Sequence, residues 1–477
     1  MLKYVCISDL HAGAETSLLT TYLAKRVPVF TRKSDVTLTF AEALKDFLQV
    51  PAKKGEHPEL ILLGDVVDLQ FSKRSDATAS AGGFLQALCD TGVLAPRVVA
   101  TAGNHDHALW TDARLALEAL SIGRGEDEIS YLKSTPAFSE TPGADSRLLT
   151  ALVRDAGFDS VDFRYPNIGF AKDNRSVVLH HGHFVEPEYR MMTRVLDTLA
   201  RKPRPTPTAE QLSEENAGWI DFAWSTFGDA AALGRDAEAL YQNLLTSMGY
   251  RRLSAKWAEK LGEALSDRLP LAGNLSMQAA LNTLAQTGLD LTIGRFRDTE
   301  RYAEVDALTS SGFHELRWFL EGPVRGQIIG EEKPVEDVTF TFGHTHKPFS
   351  DRITATGFGT PVKVYNTGGW TLNGPRLGTA EGAAMVMIDD ACNVASLRLF
   401  TTPENGEMIP VHIEMLTEDA PGAAEFRAEL EGWLDASRDA WAALTEAAHK
   451  AYDERQQLLL QFTAGQFDTA DRLETAE

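Results

Sequence analysis

The chain has 477 residues, 43% hydrophobic and 24% charged, so a folded protein with a sizeable core is expected, either as several units or as one large domain carrying an insertion. The net charge of −22 argues against non-specific binding to nucleic acid, which needs clustered Lys and Arg. Three scattered cysteines form no CxxC pair, no apolar run is long enough to span a membrane, and the start shows no signal-peptide pattern, so a reduced cytoplasmic protein is expected.

In chain order, residues 2–8 (LKYVCIS), 59–63 (ELILL), 97–102 (RVVATA) and 176–180 (SVVLH) read as short buried strands that end at polar clusters. Helical patterns lie between them at 40–49, 80–90, 112–120 and 146–156, the first with Thr39 and Glu42 spaced as a capping box. An added strand is expected at 161–170. Alternation of this kind predicts an α/β sandwich.

From about residue 185 the periodicity turns helical, at 187–200, 209–227, 236–248, 254–266 and 275–288, with Thr208 and Gln211 as a second capping-box pair. Ile220, Ala223, Trp224 and Phe227, flanked by Trp219 and Phe222, give one helix a wide aromatic face, suited to subdomain packing or to lining a lid. Strand signals return at 338–342, 351–357, 361–366, 384–388 and 395–400. After residue 415 the chain is helical, with Phe426, Leu430, Trp433, Leu434, Trp441 and Leu444 at apolar positions, for packing on the core or pairing subunits. The expected division is a core of 1–184 and 336–402, an inserted helical cap of 185–335, and a helical tail of 415–477.

Eight of the twelve histidines fall in four short stretches at the ends of apolar runs. Five segments carry the chemistry: SDLHAG with Asp9 and His11; LGDVVD with Asp65 and Asp68; AGNHDH with Asn104, His105, Asp106 and His107; HHGH with His180, His181 and His183; and GHTH with His344 and His346. Ligands in an open α/β sheet collect beyond the carboxyl ends of strands, where these loops would converge. Carboxylate, imidazole and amide oxygen suit Mn, Fe, Zn or Co and not a soft thiolate site. So many such groups exceed the needs of one ion but fit two ions sharing a carboxylate, the clamp used for in-line phosphoryl displacement.

The ordered set D-x-H, G-D, G-N-H-D, H and G-H-x-H resembles the calcineurin-like metallophosphoesterase superfamily. The resemblance implies a four-layer α/β/β/α sandwich, here with a large helical insertion and a helical C-terminal tail. It implies two divalent cations, Mn foremost and Fe or Zn as alternatives, and a metal-bridging hydroxide attacking phosphorus. By position, Asp9, His11 and His346 would hold one cation, and Asn104, His181 and His344 the other, with Asp65 between them. His105 would serve the leaving oxygen, with Asp106 orienting its ring. Asp68, His107 and His183 are candidates for supporting a ligand or touching substrate; His180 is expected in a core or supporting role. Arg32, Lys33 and Lys347 are expected on the solvated surface, although each could meet phosphate.

GDVVD, GHTHKP followed by YNTGGW, and the inserted helices also resemble the UDP-2,3-diacylglucosamine pyrophosphatase branch. The third motif keeps His105, as phosphatases and phosphodiesterases do, where the lipid A pathway enzyme has arginine, so that substrate is not expected. The expected substrate is a small phosphomonoester, phosphodiester or nucleotide, or a lipid-linked pyrophosphate. Peripheral membrane contact and self-association through the C-terminal helices are both compatible with the sequence. The alternatives are a nuclease, which needs a basic groove, and a non-catalytic interaction protein, which should lack ligands.

Overall fold

The computed structural model describes residues 1–23, 27–70, 72–125, 132–200, 202–221, 225, 307–372, 380–401, 409–416 and 421–463. The helices expected at 236–248, 254–266 and 275–288, and positions 222–224 and 227 of the aromatic face, lie outside the described residues.

The strands are β1 (Leu2–Ile7), the short pair β2 (Thr21–Tyr22) and β3 (Pro28–Val29), β4 (Glu59–Leu63), β5 (Arg97–Thr101), β6 (Ser160–Phe163), β7 (Asn167–Lys172), β8 (Arg175–His180), β9 (Asp337–Phe342), β10 (Ser350–Ile353), β11 (Val362–Asn366), β12 (Gly382–Asp389), β13 (Val394–Thr401) and β14 (His412–Glu414). Seven form one sheet in the order β14-β13-β12-β1-β4-β5-β6, and five form a second in the order β10-β11-β9-β8-β7. β1, β4, β5 and β6 run parallel, as do β8, β9 and β11.

Side chains alternate across a strand, and the core follows that period. Cys6, Ile61, Leu63 and Val99 of the first sheet pack against Ile168, Val177, Leu179 and Tyr365 of the second. Tyr4 stacks on Phe170 across the same gap, with ring centroids 4.0 Å apart. The alternate residues Val5, Ile7, Leu60, Leu62 and Val98 face outward into a layer with Phe40, Phe47, Phe84 and Leu85, which come from helices Asp35–Phe47 and Arg74–Cys89. On the far side, Phe340 of β9 meets Phe319 of helix Ser310–Phe319, ring centroids 6.0 Å apart. Helix, sheet, sheet and helix therefore stack in the four-layer α/β sandwich expected.

Several boundaries differ from expectation. The first helix is Asp35–Phe47 because Ser34, not Thr39, caps it: the Ser34 hydroxyl accepts from the Thr37 amide at 3.1 Å. Thr39 lies inside the helix and donates to the Asp35 carbonyl at 2.8 Å. Helices Arg74–Cys89 and Ala108–Gly123 also start earlier than their apolar periodicity suggests. The single strand expected at 161–170 is two: β6 edges the first sheet and β7 the second, with Pro166, which has no N–H to donate to a ladder, in the turn between. Strand β14 was not foreseen. The Thr208–Gln211 capping box forms at the start of helix Ala209–Ile220, with bonds of 3.1 and 2.9 Å.

The tail packs on the core. Its helices Ala423–Ala436 and Arg438–Thr463 bring Trp433 and Trp441 edge-on to Phe47, each at 5.8 Å. Arg455, 2% exposed, donates from Nε to the Ser17 carbonyl at 2.8 Å and from a terminal nitrogen to the Thr20 carbonyl. The helix end is thus tied to the loop that follows Asp9 and His11.

Candidate metal centre

Five parallel strands deliver the five segments. β1 leads to Asp9 and His11, β4 to Asp65 and Asp68, β5 to Asn104 through His107, β8 to His181 and His183, and β9 to His344 and His346. Because β1, β4 and β5 belong to one sheet and β8 and β9 to the other, the loops meet across the top of the sandwich.

The backbone there is strained. Asp9, His11, Asp65, His344 and His346 all have left-handed φ, at 54°, 45°, 50°, 68° and 58°. Side chains with a Cβ seldom adopt that region, and each instance costs on the order of 1–3 kcal/mol. Such residues persist only where their surroundings over-determine them. The His344 amide donates to both Asp9 carboxylate oxygens at 3.0 and 2.9 Å, and the His11 amide donates to the Asp65 carbonyl at 2.9 Å. A Cβ on Gly64, itself at φ 86°, would lie 2.7 Å from His181 Nδ1, so only glycine admits the ring there.

Three groups of potential ligands result; His11, Asp68 and His105 form one that shares His11 with another, and the remaining two carry the cluster. Of these two, Asp9, His11 and His346 form one, with the Nε2 atoms of His11 and His346 3.1 Å apart and His346 Nε2 3.3 Å from Asp9 Oδ1. Asp65, His181 and His344 form the other. His181 Nε2 is 3.2 Å from Asp65 Oδ2 and 3.2 Å from Asn104 Oδ1, which puts Asn104 at the second group. Asp65 Oδ2 is also 3.5 Å from His11 Nε2, so this carboxylate stands between the groups. Burial raises the Asp65 carboxyl, but His181, His105 and His11 outweigh it and hold the group well below the usual carboxylate range. Burial lowers His181, yet Asp65 and Asp9 overcome it and push the imidazole up to about 9.

These features fit cations. Asp65 Oδ2 is buried with no hydrogen bond, ring nitrogens face one another, and concentrated negative charge draws a proton to His181. The Leu63 carbonyl, 3.0 Å from His181 Nδ1, leaves Nε2 turned to the centre.

Asp68, not Asp106, stands beside the His105 ring. Asp68 Oδ2 lies 3.3 Å from His105 Nδ1 and 3.2 Å from His11 Nδ1. Asp106, expected to orient the His105 ring, instead accepts the Gly103 amide at 2.6 Å and the Val66 amide at 2.8 Å. The tight turn after Gly103 folds its carboxylate back under its own loop. Burial and the nearby Asp65 raise Asp106 to about 7.

His107 and His183 do not join either group; both reach the Tyr165 hydroxyl, at 3.0 and 3.1 Å. His180 Nδ1 accepts the Gly182 amide at 2.8 Å, and burial lowers its pKa well below the ordinary value, as suits a core histidine. Lys347 is not on the solvated surface: it is 1% exposed. Arg32 is exposed, and Lys33 sits 3.6 Å from Asp90.

Sequence reasoning missed Glu186, whose Oε2 lies 3.4 Å from His344 Nε2, and Tyr189, whose ring lies edge-on to His344 at 5.1 Å. Glu186 links two short helical turns after HHGH and Tyr189 sits in the second, where no spacing pattern marks them. The role of YNTGGW becomes plain. Asn366 Nδ2 donates to the Gly343 carbonyl at 2.9 Å and contacts the Thr345 hydroxyl at 3.1 Å, while Gly369 lies against the His346 ring.

Fold and centre together are similar to those of a calcineurin-like phosphoesterase. The family model of that description matches residues 2–234 and supports the superfamily. The matched span holds four of the five segments; His344 and His346 lie beyond it and are brought in by β9. No curated protein matches the chain. Among the described residues, no helix is long and apolar enough to cross a membrane.

Proposed function

We propose that the protein is a two-cation hydrolase of phosphoester or phosphoanhydride bonds. The observation that carries this reading is Asp65 standing between two buried His/Asp groups, each able to hold a divalent ion. Asp9, His11 and His346 would hold one cation, and Asn104, His181 and His344 the other. When bound, the cations supply positive charge for the phosphoryl oxygens and activate water for in-line attack. The donor set of imidazole, carboxylate and amide oxygen does not separate Mn, Fe and Zn, and the resemblance puts Mn first.

The chain's own residues supply the rest. With Nδ1 of His105 beside the Asp68 carboxylate, Nε2 is the nitrogen left to donate a proton to the departing oxygen. Asp106 holds the Asp65 and Asn104 loops together through the Val66 and Gly103 amides. The net charge of −22 favours a small substrate over nucleic acid. Resemblance to the UDP-2,3-diacylglucosamine pyrophosphatase branch adds sugar nucleotides and lipid pyrophosphates to the candidates, with the 185–335 insertion as a cap and the cytoplasm as the compartment.

The test is turnover by the purified protein with Mn²⁺ of p-nitrophenyl phosphate, bis-p-nitrophenyl phosphate, and a panel of nucleotides, sugar nucleotides and lipid pyrophosphates. Metal-dependent hydrolysis of any of these is expected. No turnover of the whole panel with metal demonstrably bound would contradict the reading.

A further inference from the structure

Asp221, His107, Tyr165 and His183 form a hydrogen-bonded string beside the centre. Asp221 Oδ1 lies 2.7 Å from His107 Nδ1, His107 Nε2 lies 3.0 Å from the Tyr165 hydroxyl, and that hydroxyl lies 3.1 Å from His183 Nε2. His107, Tyr165 and His183 are each 0% exposed. One proton assignment satisfies every link. An ionised Asp221 only accepts, so His107 carries its proton on Nδ1 and its Nε2 accepts from the tyrosine. The tyrosine oxygen then accepts from His183 Nε2–H. A polar string that closes with one consistent direction fixes ring orientation as well as position.

Its ends matter more than its middle. His107 follows His105 and Asp106 in the third segment, and His183 follows His181 in the fourth. Tyr165 stands in the turn between β6 and β7, its ring stacked on Trp110 at 4.8 Å. Asp221 comes from the inserted segment, directly after helix Ala209–Ile220, and also accepts from the Thr111 hydroxyl. Four residues on, the Ser225 hydroxyl accepts the Ala108 amide at 2.8 Å. The inserted segment thus grips the start of helix Ala108–Gly123, just beyond the third segment, at two points.

We propose that this string is a positioning device through which the inserted segment sets the loops of His105 and His181 relative to one another. The activity part of the proposal rests on the hydrolase reading; the geometric part does not. Tyr165→Phe keeps the stacked ring and removes only the bridging hydroxyl, and Asp221→Asn alters the acceptor at the far end.

Both variants of the full chain are compared with wild type by ¹⁵N NMR of the histidine imidazoles in the metal-free protein, by Mn²⁺ affinity, and by kcat and KM. The string predicts altered tautomer signals for His107 and His183, and a loss of about 10–100-fold in kcat or in Mn²⁺ affinity, as supporting partners of metal sites usually cost. KM should change far less than kcat. Wild-type imidazole signals in both variants would overturn the string. Altered signals with unchanged kcat and unchanged Mn²⁺ affinity would overturn its positioning role. Should Tyr165→Phe fail to fold, Asp221→Asn decides by the same readouts. Should the wild type hydrolyse nothing, the hydrolase reading fails while the imidazole signals and Mn²⁺ affinity still decide the string.

Discussion

Asp68 holds one carboxylate oxygen 3.3 Å from Nδ1 of His105, and the same oxygen lies 3.2 Å from Nδ1 of His11. A single buried anion thus orients one imidazole of the Asp9 group and the imidazole assigned to the leaving oxygen. Burial raises its carboxyl, but His105 and His11 outweigh that and keep it ionised far below the usual range. Asp68→Asn is expected to lower kcat about 10–100-fold. Combined with His105→Ala, the losses should be less than additive, because both changes break one interaction. Steady-state kinetics on the two single variants and the double variant measures this.

Asp106 accepts two buried backbone amides, from Gly103 and Val66, with its two oxygens. Asp106→Asn turns an NH₂ toward one of those donors and leaves that amide unsatisfied. A loss of about 1–3 kcal/mol in unfolding free energy is expected, measured by urea denaturation of the metal-free protein.

Arg455 joins the tail to the first metal-site loop through the Ser17 and Thr20 carbonyls, and the Ser17 hydroxyl in turn donates to the Leu10 carbonyl at 2.7 Å. Arg455→Met should cost about 1–3 kcal/mol for each carbonyl left without a donor. It should also weaken the cation held by Asp9, His11 and His346 more than the other one. Stepwise Mn²⁺ titration distinguishes the two sites.

Glu414 pins strand β14 by contacts with Arg398 Nε at 3.1 Å and His412 Nε2 at 3.4 Å. Burial raises its carboxyl, but His412, Arg398 and Ser350 lower it to about 2, from an ordinary value of 4.5. A depressed carboxyl stabilises the fold above its unfolded pKa and loses that contribution as pH falls through the folded one. Glu414→Gln should therefore be less stable than wild type at pH 7, with the difference shrinking as pH drops from 4.5 toward 2. Urea midpoints measured across that range check it.

The five segments were legible because strand ends are marked by apolar runs stopping at glycine or a polar residue and by histidines bunched where composition alone would scatter them. The left-handed φ at Asp9, His11, Asp65, His344 and His346 was not, since Asp and His tolerate that region without requiring it. Asp106 neighbours His105 in sequence and Asp68 does not, yet the fold makes Asp68 the carboxylate that meets His105 and Asp106 the one that binds amides. The split of 161–170 was hidden because β6 and β7 share one apolar pattern while joining different sheets. The tail's apolar stripe, equally suited to another subunit, is covered by Phe40 and Phe47 within the chain.

The central claim is that two cations share Asp65. Metal-free protein titrated with Mn²⁺, with bound metal counted and hydrolysis followed in parallel, tests it directly. The account predicts two equivalents per chain with activity rising on the second, loss of bound metal in Asp65→Ala, and retained metal with lost rate in His105→Ala. A single equivalent in the wild type, or two equivalents retained by Asp65→Ala, would contradict it.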